Sequence, residues 1–141
     1  MRKTYKWLEN SNIPTKDLVG LYADVQWSAY TKDEAKLAKA LKNSLYHVSV
    51  WDEEELIALI RVIGDDVSIL YIQDILVKEA YQNEGIGSEL LRHILEKYQN
   101  IRQIVLNTDN TEKTASFYEK NGLTNVANME GVCFIKYNFE T

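Results

Sequence analysis

Apolar and polar positions change period several times along the chain. Arg2–Glu9 (RKTYKWLE) puts Tyr5 and Trp7 on one face at a period of two, which predicts a first strand. Pro14 and Thr15 then give a helix-start signal, and Leu18, Leu21, Tyr22 and Val25 recur at helical spacing. QWSAY reads as a loop. Thr31, with Glu34 three residues on, has the form of a capping box and predicts a second helix over TKDEAKLAKALKNS. Three strands follow, Leu45–Trp51, Leu56–Ile63 and Ser68–Val77, joined by the short polar stretches DEEE and GDD. Turns this short mark an antiparallel meander. The period then returns to that of a helix over Gly87–Tyr98, with Leu90, Leu91, Ile94 and Leu95 as the buried stripe. IRQIVLNT reads as a strand and Thr111–Lys120 as a helix stopped at Asn121-Gly122. Leu123–Asn138 is expected to hold two more short strands. The predicted order is β-α-α-β-β-β-α-β-α-β-β. This is an α/β chain with a mixed sheet, in which Ser68–Val77 and IRQIVLNT are parallel across a βαβ crossover.

Composition narrows the classes. The 141 residues are expected to form one domain, 1–141, with no linker, repeat or low-complexity segment. No apolar run approaches the ~20 residues that span a bilayer, so no membrane role is expected. MRKTYKWLEN has charges but no apolar stretch after them, which is not a secretory signal. The one cysteine, Cys133, cannot form an internal disulfide, which suits a reducing, cytoplasmic location. The formal charge of −5 and the lack of a basic stripe argue against nucleic acid. There is no HxxxH, CxxC or clustered carboxylate pattern, so no metal is expected.

Two of the six glycines, Gly85 and Gly87, stand two apart where a strand meets a helix. Such a junction leaves backbone N–H groups uncovered by Cβ atoms, at a helix start that carries unpaired donors and partial positive charge. Together these make an anion site, most often for phosphate; the plainer reading is a tight turn. The segment is not a P-loop, since no Lys-Ser or Lys-Thr follows. Nor is it a dinucleotide fingerprint, since position 90 is Leu. What stands here is Gln82-x-x-Gly85-x-Gly87, between a strand ending in ILV and a helix beginning SELL. It closely resembles the acetyl-CoA loop of the GCN5-related N-acetyltransferase (GNAT) family. SFYEKNGL (Ser116–Leu123) is similar to that family's FYxKxGF element, with Leu123 where Phe is usual. The element order matches the acyl-CoA N-acyltransferase fold through almost the whole chain.

The resemblance implies a set of roles. Backbone N–H groups of Gln82, Asn83, Glu84, Gly85, Ile86, Gly87 and Ser88 would hold the pyrophosphate of acetyl-CoA. Ile75, Leu76 and Val77 would be splayed from the parallel neighbour, at a bulge, and would pair with pantetheine as if it were a strand. One N–H there would polarise the acetyl carbonyl. Tyr118 would be the general acid for the departing thiolate. Asn110 matches the pantetheine-binding Asn approximately, one position off the usual spacing. Many family loops carry Arg or Lys where this one has Asn83 and Glu84. Glu84 is therefore expected to point to water, with Lys78, or alternatively Arg92, supplying positive charge.

The acceptor side is less determined. Transfer to an amine needs a general base or a water relay, and the candidates are Asp74, Glu79 and Asp24. Asp74 lies among apolar residues, which suggests a buried catalytic carboxylate; the alternative is a structural one satisfied within the core. His47, in a strand, and His93, on a solvated helix face, are weaker. Trp27 and Tyr30 either wall an amine pocket or are ordinary core aromatics. The sequence thus points to an N-acetyltransferase acting on a primary amine of a small molecule. The alternatives are a protein N-terminal or lysine acetyltransferase, and a CoA-binding sensor without turnover. The apolar last segment, VCFIKYNF, is expected near a sheet edge, where it would favour a homodimer.

Overall fold

The computed structural model describes residues 4–138. Five strands form one mixed sheet in the order β1-β2-β3-β4-β5. They are β1 (Lys6–Glu9), β2 (Tyr46–Asp52), β3 (Glu55–Gly64), β4 (Ile69–Val77) and β5 (Gln103–Leu106). The first four run antiparallel to their neighbours, and β5 lies parallel to β4. The parallel pair is the one the βαβ pattern predicts, since a crossover helix separates these two strands. The acidic turn is shorter than expected. Asp52 and Glu55 pair across β2 and β3, leaving Glu53 and Glu54 as the two-residue turn, with Glu53 at a φ of 56°.

The helices are α1 (Thr15–Asp24), α2 (Ser28–Thr31), α3 (Glu34–Lys42), α4 (Ile86–Lys97) and α5 (Glu112–Lys120). The QWSAY stretch is not a plain loop, because its end forms the single turn α2. Nor is Thr31 the cap of α3. That cap is Asp33, in extended conformation, whose carboxylate accepts from the Lys36 N–H at 3.1 Å. Thr31 instead donates its hydroxyl to the Ser28 carbonyl at 3.1 Å. A carboxylate nearer the first free N–H groups satisfies them better than a hydroxyl two residues further out.

Two apolar layers enclose the sheet. Leu18, Leu21 and Tyr22 of α1 and Leu37 and Leu41 of α3 cluster with Leu59 of β3 and Leu76 of β4. Helix α4 covers the other face through Leu90, Leu91 and Ile94. Its side follows from register: His93 reaches Tyr46, which pairs with Val62, and Val62 alternates along β3 with the residues that face α1. Each of these fully buried aliphatic chains contributes about 1.5–3 kcal/mol of transfer free energy.

The described residues fall into two compact units, one ending at Asn107 and one starting at Thr108. The second unit holds α5, capped by Thr111, which accepts from the Thr114 N–H. After it comes a short 3-10 turn, Val126–Met129. The two strands expected over Leu123–Asn138 are not formed among the described residues. Val132, Phe134, Ile135 and Tyr137 stand exposed there, with Phe134 at 92%. Alternating apolar residues make a strand only where a partner edge accepts the backbone, and no strand of the described residues pairs with this segment.

Candidate active site

Register at β4 organises the site. Arg61 of β3 pairs with Asp74, whereas the next residue, Val62, pairs with Ile72. Gln73 is therefore the extra residue of a bulge. β5 pairs with β4 only over Ile69–Ile72. The β5-facing edge of β4 is thus open from Gln73 through Ile75, Leu76 and Val77, where a second extended chain can pair. Leu76 keeps its side chain in the core, 2% exposed, and its backbone belongs to the β3 side, because the Lys78 N–H donates to the Ile57 carbonyl and every second residue of the ladder turns the same way; the edge groups are those of Ile75 and Val77. The parallel strands thus part just beyond Ile72, beside the bulge at Gln73.

The glycine loop follows directly. Residues 79–81 make a 3-10 turn whose Glu79 N–H is held by Asp24 at 2.8 Å. Gln82 then folds back, its Nε2 donating to the Val77 carbonyl at 2.9 Å. That bond clips the loop to the strand end and uses one of the groups expected to be open. Asn83 has a φ of 69° and Gly85 a φ of 86°, both left-handed. Asn tolerates this conformation and Gly adopts it without cost. Gly85 is the N-cap of α4 and supplies no side chain to accept from the helix start. The first N–H donors of α4, at Ile86, Gly87 and Ser88, therefore meet no capping side chain, in a 12-residue helix whose dipole adds positive potential. These features fit a bound pyrophosphate. Glu84 does turn outward, its Oε1 accepting from the Tyr5 hydroxyl at 2.8 Å. Lys78 pairs with Glu55 at 3.1 Å, and Arg92 donates from Nε to the Ser88 carbonyl at 3.3 Å. Of the two, Arg92 is the cation tied to the first turn of α4.

On the α1 face the structure corrects one expectation. Asp74 is 2% exposed, and its Oδ2 accepts from Arg61 Nε at 2.6 Å and from the Tyr22 hydroxyl at 2.7 Å. Arg61 also reaches Ser44 Oγ at 3.2 Å. A carboxylate committed to a guanidinium in the core is a structural group, so Asp74 is not placed to act as a proton acceptor. Its Oδ1 is buried without a partner among the described residues. Burial and the neighbouring carboxylate raise the Tyr22 phenol far above its ordinary range, so it stays a donor. The sequence reading missed Arg61, although one cation inside LIALIRVI and one acid inside SILYIQDILV were a signal that the two strands share an ion pair.

Above this network, Trp27 and Tyr30 are both half-buried. Tyr30 lies 5.4 Å from the Tyr22 ring and 5.9 Å from the Trp27 ring, centroid to centroid. Both rings pack against the core cluster, and both keep part of their surface outward. Tyr30 also accepts from Gln73 Nε2 at 3.1 Å, which ties α2 to the bulge.

The second unit carries Tyr118 and Asn110. Tyr118 is half-buried in α5, against Phe117 at 5.0 Å between centroids. Burial raises its phenol above the ordinary value, opposed by a hydrogen bond with Thr108. Asn110 is exposed in the loop ahead of α5. Among the described residues, no group of His, Cys, Asp or Glu is arranged to hold a metal ion, and no helix is long and apolar enough to cross a membrane.

Comparison with known proteins identifies the family. An uncharacterized N-acetyltransferase, ycf52-like, from Prochlorococcus marinus is 34% identical over 123 residues, covering 81% of this chain and 66% of that protein, so the chain spans about two thirds of the relative's length. An acetyltransferase of the GNAT family from Streptococcus pneumoniae superposes with a TM-score of 0.85 at 29% identity, covering 97% of this chain and 100% of that one. An aminoglycoside N-acetyltransferase in complex with CoA has the same fold, with a TM-score of 0.72 at 12% identity over 96% of each chain. Residues 5–123 match the acetyltransferase (GNAT) family itself. The chain therefore belongs to the acetyltransferase (GNAT) family, whose enzymes use acetyl-CoA as co-substrate.

Proposed function

We propose that the chain transfers the acetyl group of acetyl-CoA directly to a primary amine of a small molecule. One observation carries the reading: an α4 start without a capping side chain follows, through the glycine loop, on a β4 edge that β5 leaves unpaired from Gln73 to Val77, with the Val77 carbonyl taken by Gln82. The first is suited to a pyrophosphate and the second to an amide-bearing arm that pairs like a strand. Gln82 to Ser88 would bind the phosphates, and Ile75 and Val77 would bind the arm and polarise the acetyl carbonyl through an N–H, with Leu76 between them turned to β3. Trp27 and Tyr30 would wall the acceptor site. With Asp74 committed to Arg61, the amine would lose its proton to water.

Tyr118 would protonate the leaving thiolate. Its phenol, raised further by burial, is fully protonated at neutral pH, which is the state a general acid needs. A thiol of pKa ~8.5 needs only modest help in leaving. Tyr118→Phe keeps the ring and removes that proton. Turnover is expected to fall by about 10²-fold, while acetyl-CoA affinity stays level. Steady-state rates across pH, with an acceptor found by screening amines for thiol release, check this. Wild-type turnover in the Phe variant would remove Tyr118 from the mechanism, and acetyl-CoA binding without thiol release for any amine would favour a sensor.

A further inference from the structure

We infer that Gln73 selects the acceptor, by presenting its amide carbonyl to the incoming amine between the open β4 edge and the Trp27–Tyr30 wall. The inference rests on the acceptor-pocket reading and adds a residue to it. Gln73 is the bulge residue, so the strand is irregular where its side chain leaves it. It is also the first residue beyond the β5 pairing, which places it at the mouth of the open edge. Its side chain turns toward α2, since Nε2 donates to the Tyr30 hydroxyl at 3.1 Å. That bond orients the amide and commits one of its ends. Gln73 is half-buried, and its Oε1 accepts from no group among the described residues.

A carbonyl oxygen beside two aromatic rings is a recognition set for an amine: one N–H bonds to the oxygen and the rings attract the ammonium form. The choice of amide over acid has a chemical reason. A carboxylate at this point would favour the ammonium and hold its proton, and an ammonium has no lone pair with which to attack. An amide orients the same N–H while favouring the charged form far less. The ion-paired Asp74 next in sequence is kept away from the amine by Arg61 and Tyr22.

The test is calorimetric titration of 2-phenylethylamine, and of its uncharged isostere 2-phenylethanol, into the CoA complex at pH 7.5. Gln73→Leu is expected to weaken 2-phenylethylamine about tenfold and to leave CoA affinity unchanged. Gln73→Glu is expected to raise the preference for 2-phenylethylamine over 2-phenylethanol about tenfold, because a charge replaces a dipole. If Gln73 only latches α2, the Leu and Glu variants behave alike and the preference does not move, which overturns the inference. Unchanged amine binding in Gln73→Leu alongside a loss in Trp27→Ala overturns it and leaves the pocket standing. Absence of saturable amine binding in the wild type, or indifference to both substitutions, removes the pocket and the inference together. Should Gln73→Leu fail to fold, the Glu variant decides.

Discussion

Replacing Arg61 with Met probes the network beneath the acceptor wall. Arg61 Nε and Asp74 Oδ2 are 2.6 Å apart, in residues 6% and 2% exposed. At an effective dielectric near 20 that separation corresponds to an attraction of about 6 kcal/mol. Bringing the two ions out of water costs several kcal/mol each, so the intact pair adds little net stability. Removing one partner is different, because the Asp74 charge then remains buried with the Tyr22 hydroxyl as its one remaining donor. The expected cost is about 3–5 kcal/mol, against a total of roughly 5–15 kcal/mol for a domain. Tyr22→Phe removes one hydrogen bond to the same charge and should cost about 1.5–3 kcal/mol. The double variant Arg61→Met/Asp74→Leu leaves no stranded charge and should be closer to wild type than either single variant. Urea unfolding followed by circular dichroism at pH 7 measures all four. An Arg61→Met cost under about 1 kcal/mol, or a double variant that costs the sum of the singles, would refute a stranded-charge account.

Three further outcomes follow from the structure. Gly87→Val puts a branched Cβ in the first turn of α4, and should weaken CoA by about 1–3 kcal/mol if one charge-assisted hydrogen bond is lost; equal affinity in a folded variant would contradict the pyrophosphate site. Asp65 caps the β3–β4 turn by accepting from Ser68 Oγ and from the N–H groups of Val67, Ser68 and Ile69, which hold its carboxyl below the ordinary carboxylate range. Its contribution is therefore present above pH ~4 and lost as pH falls through the depressed value, so Asp65→Asn should flatten acid denaturation below pH 4, and an unchanged acid limb would argue against the cap. The exposed Val132, Phe134, Ile135 and Tyr137 suit a second copy of the chain, giving a dimer mass by light scattering at high micromolar concentration; a monomer mass would exclude it.

How much was legible in the residues depended on the range of the interaction. The meander, α1, α4 and α5 were readable because their apolar periods, turn lengths and stop signals are local, and local sterics decide them. The Gln82–Gly87 loop was readable for the same reason: a left-handed residue at 85 and an uncapped helix start need nothing beyond neighbouring residues. The cap of α3 was misread by two residues, since Thr31 and Asp33 both qualify locally and only the observed backbone shows which one reaches an N–H. The last two strands are not formed among the described residues: alternation states a preference, whereas pairing needs an edge elsewhere in the chain. Asp74 shows the limit most clearly. Its sequence surroundings fit both a buried base and a structural acid. The decision lay with Arg61, 13 residues away, and Tyr22, 52 residues away, brought within 3 Å of it by the β3–β4 register and the packing of α1. The same register, through one bulge, set Gln73 against Tyr30 across 43 residues. A local pattern determines which elements form; which side chains meet depends on register and packing, where a shift of one residue reverses the face each side chain takes.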